Sequence, residues 1–213
     1  MVIGIIGLGD MGSLCARKWA EAGYRVFGCD LPEYHDKLKE DFAGTSVKIL
    51  ENARAVARKS DFLLFSVESA NIKSVVASAA DSIKFGAVVA GQTSVKTPEI
   101  EAFEKYLPED VHIFTCHSLH GPAFSTKGQK LIVIPHRVNK EAYLRTMPIY
   151  EALESDIIEI ESYRQHDQIM ADTQAVTHMC FESMGTAWKN AGYYPWDHGA
   201  YSTGIENVKN LTT

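Results

Sequence analysis

Gly7-Leu8-Gly9-Asp10-Met11-Gly12 follows directly on the apolar run Val2–Ile6 and opens directly into a helical pattern. Glycines at this spacing, between a strand and a helix, answer a definite geometric need. The first permits a tight turn, the second lets backbone approach a pyrophosphate, and the third lets helix pack on strand. N–H groups left unpaired at the helix start then face the phosphate charge. The loop commits this end of the chain to a strand–loop–helix unit that holds a dinucleotide. Leu8, Asp10 and Met11 are candidate contacts beside the three glycines.

A second strand ends at Asp30, 18 residues after Gly12. A carboxylate in that position hydrogen-bonds an adenosine ribose 2′-OH and repels a 2′-phosphate, which leans toward NAD. Leu31 and Pro32 follow it, and Lys37 and Lys39 are near enough in sequence to swing in, so NADP and NAD both remain open.

Short β-rich runs alternate with helical stretches through the first 160 or so residues. Strands are predicted over 2–6, 25–29, 62–66, 87–90, 111–116, 131–134 and 157–160, with a weaker one over 47–50. Most are continuous apolar runs, as in strands covered on both faces. Helices are predicted over 11–22, 36–42, 53–59, 72–83, 98–106 and 140–154, with Thr97 as N-cap and Pro98 as first helical residue. The alternation implies an α/β fold with a doubly wound, mostly parallel Rossmann-type sheet over 1–162.

After residue 162 the pattern changes. From 163 to 189 there is no proline and one late glycine, and Ile169, Met170, Val176, Met179, Cys180, Phe181, Met184 and Trp188 supply an apolar set wide enough for a buried helix. Residues 190–213 read as an irregular aromatic tail. One helix and a tail cannot close a core, so 163–213 is expected to be the start of a helical domain, incomplete or completed by a partner chain.

Composition narrows the setting. Among 213 residues, 46% are hydrophobic and 23% charged, which excludes wholesale disorder. A net charge of −6 argues against a nucleic-acid partner. No apolar run approaches the ~20 residues of a membrane helix, and the start lacks a signal-peptide pattern. Cys15, Cys29, Cys116 and Cys180 are scattered, which fits reduced thiols in the cytoplasm and no structural metal site.

In an open parallel sheet, ligands bind beyond the carboxyl ends of the strands. There the sequence places Ser66 and Val67, then 91–96 with Ser94, then His117-Ser118-Leu119-His120-Gly121-Pro122. A Ser94 hydroxyl bonded to one nitrogen of His117 would fix its tautomer and free the other as a general base. A Cys116–His117 nucleophile pair fails because neighbouring strand residues point to opposite faces. A Ser94/His117 hydrolase lacks an orienting carboxylate and a nucleophile elbow. Metal binding by His117 and His120 would need further ligands, and His112 and His136 are not placed to supply them. Asp167, Gln174 and His178 share one helical stripe, either lining a pocket or facing solvent.

Taken together, these residues resemble prephenate dehydrogenase, the oxidative-decarboxylating family of tyrosine biosynthesis, most closely its fungal branch. The carriers are the stretches 4–12, 91–94, 98–108 and 117–122, together with His166-Asp167 and 171–178. The resemblance implies that His117 is the catalytic base, that Ser94 hydrogen-bonds it, and that Gln174 and His178 face the substrate. It implies that Ser66 and Val67 flank the ribose and nicotinamide of NADP or NAD. It also implies a homodimer formed through the helical domain. Two departures accompany it. Fungal members tend to carry an arginine where this chain has Leu31, and family members continue well past Thr213, so the helical domain is expected to be truncated.

Two alternatives stand beside this reading. A β-hydroxyacid dehydrogenase shares the Gly-Leu-Gly-x-Met-Gly loop but depends on a helix lysine, and no lysine lies between Arg164 and Trp188. A non-catalytic dinucleotide-binding module would need the loop alone, with Tyr193, Tyr194 and Trp196 as a partner surface or part of an unfinished core.

Overall fold

The computed structural model describes residues 1–199 and 202–212; Ala200, Tyr201 and Thr213 lie outside the described residues. Strands β1 (Val2–Ile6), β2 (Arg25–Cys29), β3 (Val47–Ile49), β4 (Phe62–Phe65), β5 (Val88–Gly91), β6 (His112–Ser118), β7 (Lys130–Arg137) and β8 (Asp156–Glu159) form one sheet in the order 3-2-1-4-5-6-7-8. All neighbours are parallel except β6 and β7. The order reverses at β1, between the 3-2-1 half and the half that begins with β4, and a crevice opens where strand order reverses.

The apolar runs are covered on both sides, as their composition demands. One face packs on α1 (Asp10–Glu21), α2 (His35–Asp41) and α6 (Lys140–Glu151) through Cys15, Trp19, Leu38, Ile149 and Tyr150. The other packs on α3 (Ala53–Ala57), α4 (Ile72–Ala79) and α5 (Lys96–Tyr106) through Val56, Ile72, Val76, Ile100 and Phe103. Phe62 meets Trp19 and Tyr150 edge-on, at 5.8 and 5.7 Å between ring centroids. Each such fully buried ring contributes roughly 1.5–3 kcal/mol. The two polar tips in this cluster are satisfied: Trp19 Nε1 donates to the Ile149 carbonyl at 2.7 Å, and the Tyr150 hydroxyl donates to the Phe114 carbonyl.

Contacts divide the chain into Met1–Asp167 and Gln168–Thr213, so the division falls inside α7 (Tyr163–Met170). Within the second unit a π-helical segment, Ala171–Ala175, leads into α8 (Val176–Ala191), and α9 (Thr203–Thr212) follows. The helix predicted over 163–189 is therefore interrupted by a π turn. The irregular tail holds α9, hidden from a propensity reading by Gly204 and the β-branched Thr203, Ile205 and Val208. The apolar set on α8 is not buried either: no α8 residue is, and Met179 is 60% exposed. Trp188 of that set is half-buried and meets Trp196 edge-on, at 5.2 Å between ring centroids.

Candidate active site

The glycine loop is built as its sequence requires. Gly7 adopts φ +95°, and a Cβ on Gly12 would sit 2.0 Å from the Gly7 carbonyl oxygen, so a side chain is barred at both. Around Gly9 the opposite holds: a Cβ there would meet nothing within 4 Å. Gly9 is also the N-cap of α1, with no side-chain cap on the helix. A bare loop with an uncapped helix start behind it fits a pyrophosphate.

Asp30 ties the end of β2 to this loop. Its Oδ2 accepts the Leu8 N–H at 2.6 Å and its Oδ1 accepts the Leu31 N–H at 2.8 Å. Each oxygen keeps a lone pair for a ribose hydroxyl. Ser66 and Val67, half-buried after β4, lie against Gly7.

At the ends of β5 and β6 the structure holds a polar cluster. Lys96 and Glu99 are fully buried, with Nζ 3.0 Å from Oε1. Lys96 Nζ also donates to the Gly91 carbonyl at 2.9 Å, and the Thr93 hydroxyl donates to Glu99 Oε2 at 2.6 Å. Thr115 Oγ1 lies within hydrogen-bonding distance of both charged groups. Gly91 has no side chain because a Cβ would fall 2.1 Å from Glu99 Oε2. An ion pair this dry persists only because its remaining donors and acceptors are met.

Thr115 and His117 alternate with Cys116 along β6, so they share the face that carries α5. His117 is 5% exposed, and its Nδ1 lies 2.9 Å from Nε2 of His166, at the middle of α7. Nδ1 of His166 lies 2.9 Å from Asp167 Oδ1. Asp167 in turn accepts the N–H groups of Lys96 and Thr97 at 2.7 and 2.8 Å, and the Thr97 hydroxyl at 2.6 Å. His117 Nε2 makes no hydrogen bond among the described residues.

Burial, and then the nearby Lys96 ammonium and His166, push the His117 imidazole down to about 3. Burial also lowers His166, though its bond to Asp167 works the other way. Burial opposes ionisation of Asp167, but the bonds from Thr97, Lys96 and His166 outweigh it and hold the carboxyl below its usual range. Both rings are therefore neutral near pH 7, and the carboxylate is ionised. Burial pushes the thiols of Cys15, Cys29 and Cys116 up to about 11, 12 and 12, which leaves them poor nucleophiles.

Residues 2–158 match the model for the NAD binding domain of 6-phosphogluconate dehydrogenase. The chain belongs to that family. Residues 175–213 match a second model, for a 6-phosphogluconate dehydrogenase C-terminal domain. The chain is 49% identical to prephenate dehydrogenase [NADP(+)] of Saccharomyces cerevisiae over 98% of its own length, and spans 46% of that relative. Among solved structures it resembles prephenate dehydrogenase from Aquifex aeolicus, with a TM-score of 0.71 at 19% identity over 87% of this chain and 71% of that one. It equally resembles 3-hydroxyisobutyrate dehydrogenase from Salmonella typhimurium, with a TM-score of 0.73 at 20% identity over all of this chain and 78% of that one. The two structural likenesses show a shared fold and do not choose between chemistries.

Within this family fold, some predicted residues converge and others do not. The glycine loop, Asp30, Ser66, Val67 and His117 stand at the carboxyl edge of the parallel strands β1, β2, β4, β5 and β6. Ser94 follows β5 but is exposed and makes no bond to His117; His166 holds Nδ1 instead. Asp167 leaves the proposed stripe to close the first turn of α5, and the π turn breaks the 3.6-residue spacing that joined it to Gln174 and His178. Gln174 stands half-exposed in the π segment and His178 exposed on α8, both in the second unit. The helix predicted to begin at Pro98 begins at Lys96, with Asp167 rather than Thr97 as its cap. The residue missed by sequence reasoning is His166. Its adjacency to Asp167 and its place in the family-like stretch were the only signals available.

Proposed function

We propose that the chain carries the nucleotide half and catalytic base of a prephenate dehydrogenase, oxidising and decarboxylating prephenate to 4-hydroxyphenylpyruvate in tyrosine biosynthesis. The observation that carries this reading is His117: buried, neutral, held at Nδ1, and without a partner at Nε2 among the described residues, on the sheet edge that bears the glycine loop. The 49% identity to the Saccharomyces cerevisiae relative supports the substrate class.

In this reading the first turn of α1 and the bare Gly9 hold the pyrophosphate, and Asp30 holds the adenosine ribose. NADP+ or NAD+, when bound, supplies the hydride acceptor. His117 Nε2 accepts the proton of the ring hydroxyl as hydride leaves the same carbon. The carboxylate on the ring carbon opposite then departs as carbon dioxide, its bonding electrons flow through the ring to the new carbonyl, and aromatisation makes that loss strongly downhill. The protein's work is positioning and proton removal. Gln174 and His178 are proposed substrate contacts on the strength of the family-like stretch 171–178 alone. A homodimer through the second unit is consistent with the exposed Val176 and Met179 on α8. A cytoplasmic location fits the four free cysteines.

The β-hydroxyacid alternative loses ground because the helical segment has no lysine to serve as its acid and base. The test is a titration with NADP+ and NAD+, with and without prephenate, followed by absorbance of the reduced nicotinamide. Reduction that depends on prephenate supports the reading. Dinucleotide binding without reduction favours a non-catalytic module.

A further inference from the structure

We infer that His166 and Asp167 are positioning residues that fix His117 in its Nδ1–H tautomer and give the proton it collects a place to go. The inference deepens the function proposed above and rests on it for the reaction, but its geometry stands alone. It follows from hydrogen-bond accounting along four atoms. An ionised carboxylate only accepts, and Asp167 Oδ1 lies 2.9 Å from His166 Nδ1, so that nitrogen carries hydrogen. In a neutral imidazole the other nitrogen must then accept. His166 Nε2, 2.9 Å from His117 Nδ1, therefore obliges His117 to donate from Nδ1. What is left on His117 is a bare lone pair at Nε2, the atom a general base needs.

The same chain disposes of charge. As His117 Nε2 takes the hydroxyl proton, Nδ1 passes its own hydrogen to His166 Nε2. The ring that ends up cationic is His166, with both nitrogens protonated, against the Asp167 carboxylate. No atom or charge is created, and Asp167 stays ionised throughout. The direction is sensible electrostatically. The Lys96 ammonium opposes positive charge on both rings, but Asp167 bonds directly to His166 and acts on His117 only through space. Asp167 cannot drift from this task, because the N–H groups of Lys96 and Thr97 and the Thr97 hydroxyl pin both of its oxygens.

The test reads the tautomer directly, from the ring-nitrogen chemical shifts of His117 in protein labelled at histidine nitrogen, near pH 7. Wild-type chain is expected to show Nδ1 protonated and Nε2 bare. His166→Phe removes the acceptor and is expected to move His117 toward the Nε2–H form, with prephenate turnover falling about 10²-fold at nearly unchanged KM. Thr97→Val removes one of the three bonds that Lys96 and Thr97 make to Asp167 but keeps a backbone N–H on each oxygen, so it is expected to lower the melting temperature and leave the tautomer alone. A wild-type His117 protonated at Nε2, or a His166→Phe chain that keeps the Nδ1–H form, overturns the inference. The wild-type spectrum needs no variant to fold and no substrate to turn over. Its failure is therefore distinct from an absence of prephenate oxidation, which would instead remove the function proposed above.

Discussion

Asp167 closes the first turn of a helix that lies 70 residues earlier in the chain: its Oδ2 accepts both the backbone N–H and the hydroxyl of Thr97, at 2.8 and 2.6 Å. A carboxylate at a helix start satisfies orphan N–H groups and meets the positive end of the helix dipole. Through its other oxygen it meets His166. One side chain thus joins the start of α5 to the imidazole pair.

The Asp167 carboxyl is held below its unfolded value, so its contribution to stability is complete above the unfolded pKa of ~3.9 and is lost as pH falls through the folded value. Asp167→Asn is expected to cost about 1–2 kcal/mol in urea unfolding from pH 8 to 5. Below about pH 4 the gap between the two proteins narrows. A gap that stays constant into acid would show that ionisation of Asp167 contributes nothing.

His117 gives a slope of the same sign at higher pH. The unfolded chain takes up a proton near ~6.5, whereas the folded ring resists until about 3. Between those values the unfolded state binds more protons, so stability falls with acid, by at most ~1.4 kcal/mol per pH unit from this group. His117→Asn should flatten the dependence of the urea midpoint between pH 6 and 4. An unchanged slope would mean that the ring charges freely in the folded protein.

The glycines of the loop make opposite predictions. Gly9→Ala meets open space, so it should unfold like wild type yet lose dinucleotide affinity by tenfold or more, roughly the ~1.4 kcal/mol of displaced phosphate contact. Gly12→Ala puts a methyl 2.0 Å from the Gly7 carbonyl and should lower the melting temperature as well. Thermal unfolding and dinucleotide titration of both variants separate the two effects. Equal behaviour would mean that the loop is not a phosphate site.

Lys96→Met leaves the Glu99 carboxylate buried without its cation, and about 3–5 kcal/mol of stability should go with it. Pairing it with Glu99→Leu removes the stranded charge and should recover most of the loss. Chemical denaturation of the single and double variants checks this. If the double variant is no more stable than the single, the pair is held by something other than mutual neutralisation.

The sheet was legible because its signals are local. Runs such as Phe62–Phe65 and the glycine loop declare strand and turn within a few residues, and the carboxyl-edge rule then gathers Gly9, Asp30 and His117. Long-range polar partners were not legible. The helix was expected to begin at Pro98, which leaves Lys96 outside it, yet the helix begins at Lys96 and both Lys96 and Glu99 are buried because Gly91, Thr93 and Thr115 complete their hydrogen bonds. The Ser94–His117 bond assumed that residues following adjacent strands would meet, and the turn after β5 instead leaves Ser94 exposed. Asp167 was read as part of a helix stripe and His166 was passed over, because periodicity sees only the element a residue stands on. Their partners lie on α5 and β6.

The most direct test is His117→Asn, assayed for dinucleotide affinity and for prephenate-dependent nicotinamide reduction in parallel. Removing a general base should lower turnover by about 10²–10⁴-fold while the dissociation constant for the dinucleotide stays nearly unchanged. Turnover close to wild type in a variant that still binds dinucleotide would contradict the role assigned to His117.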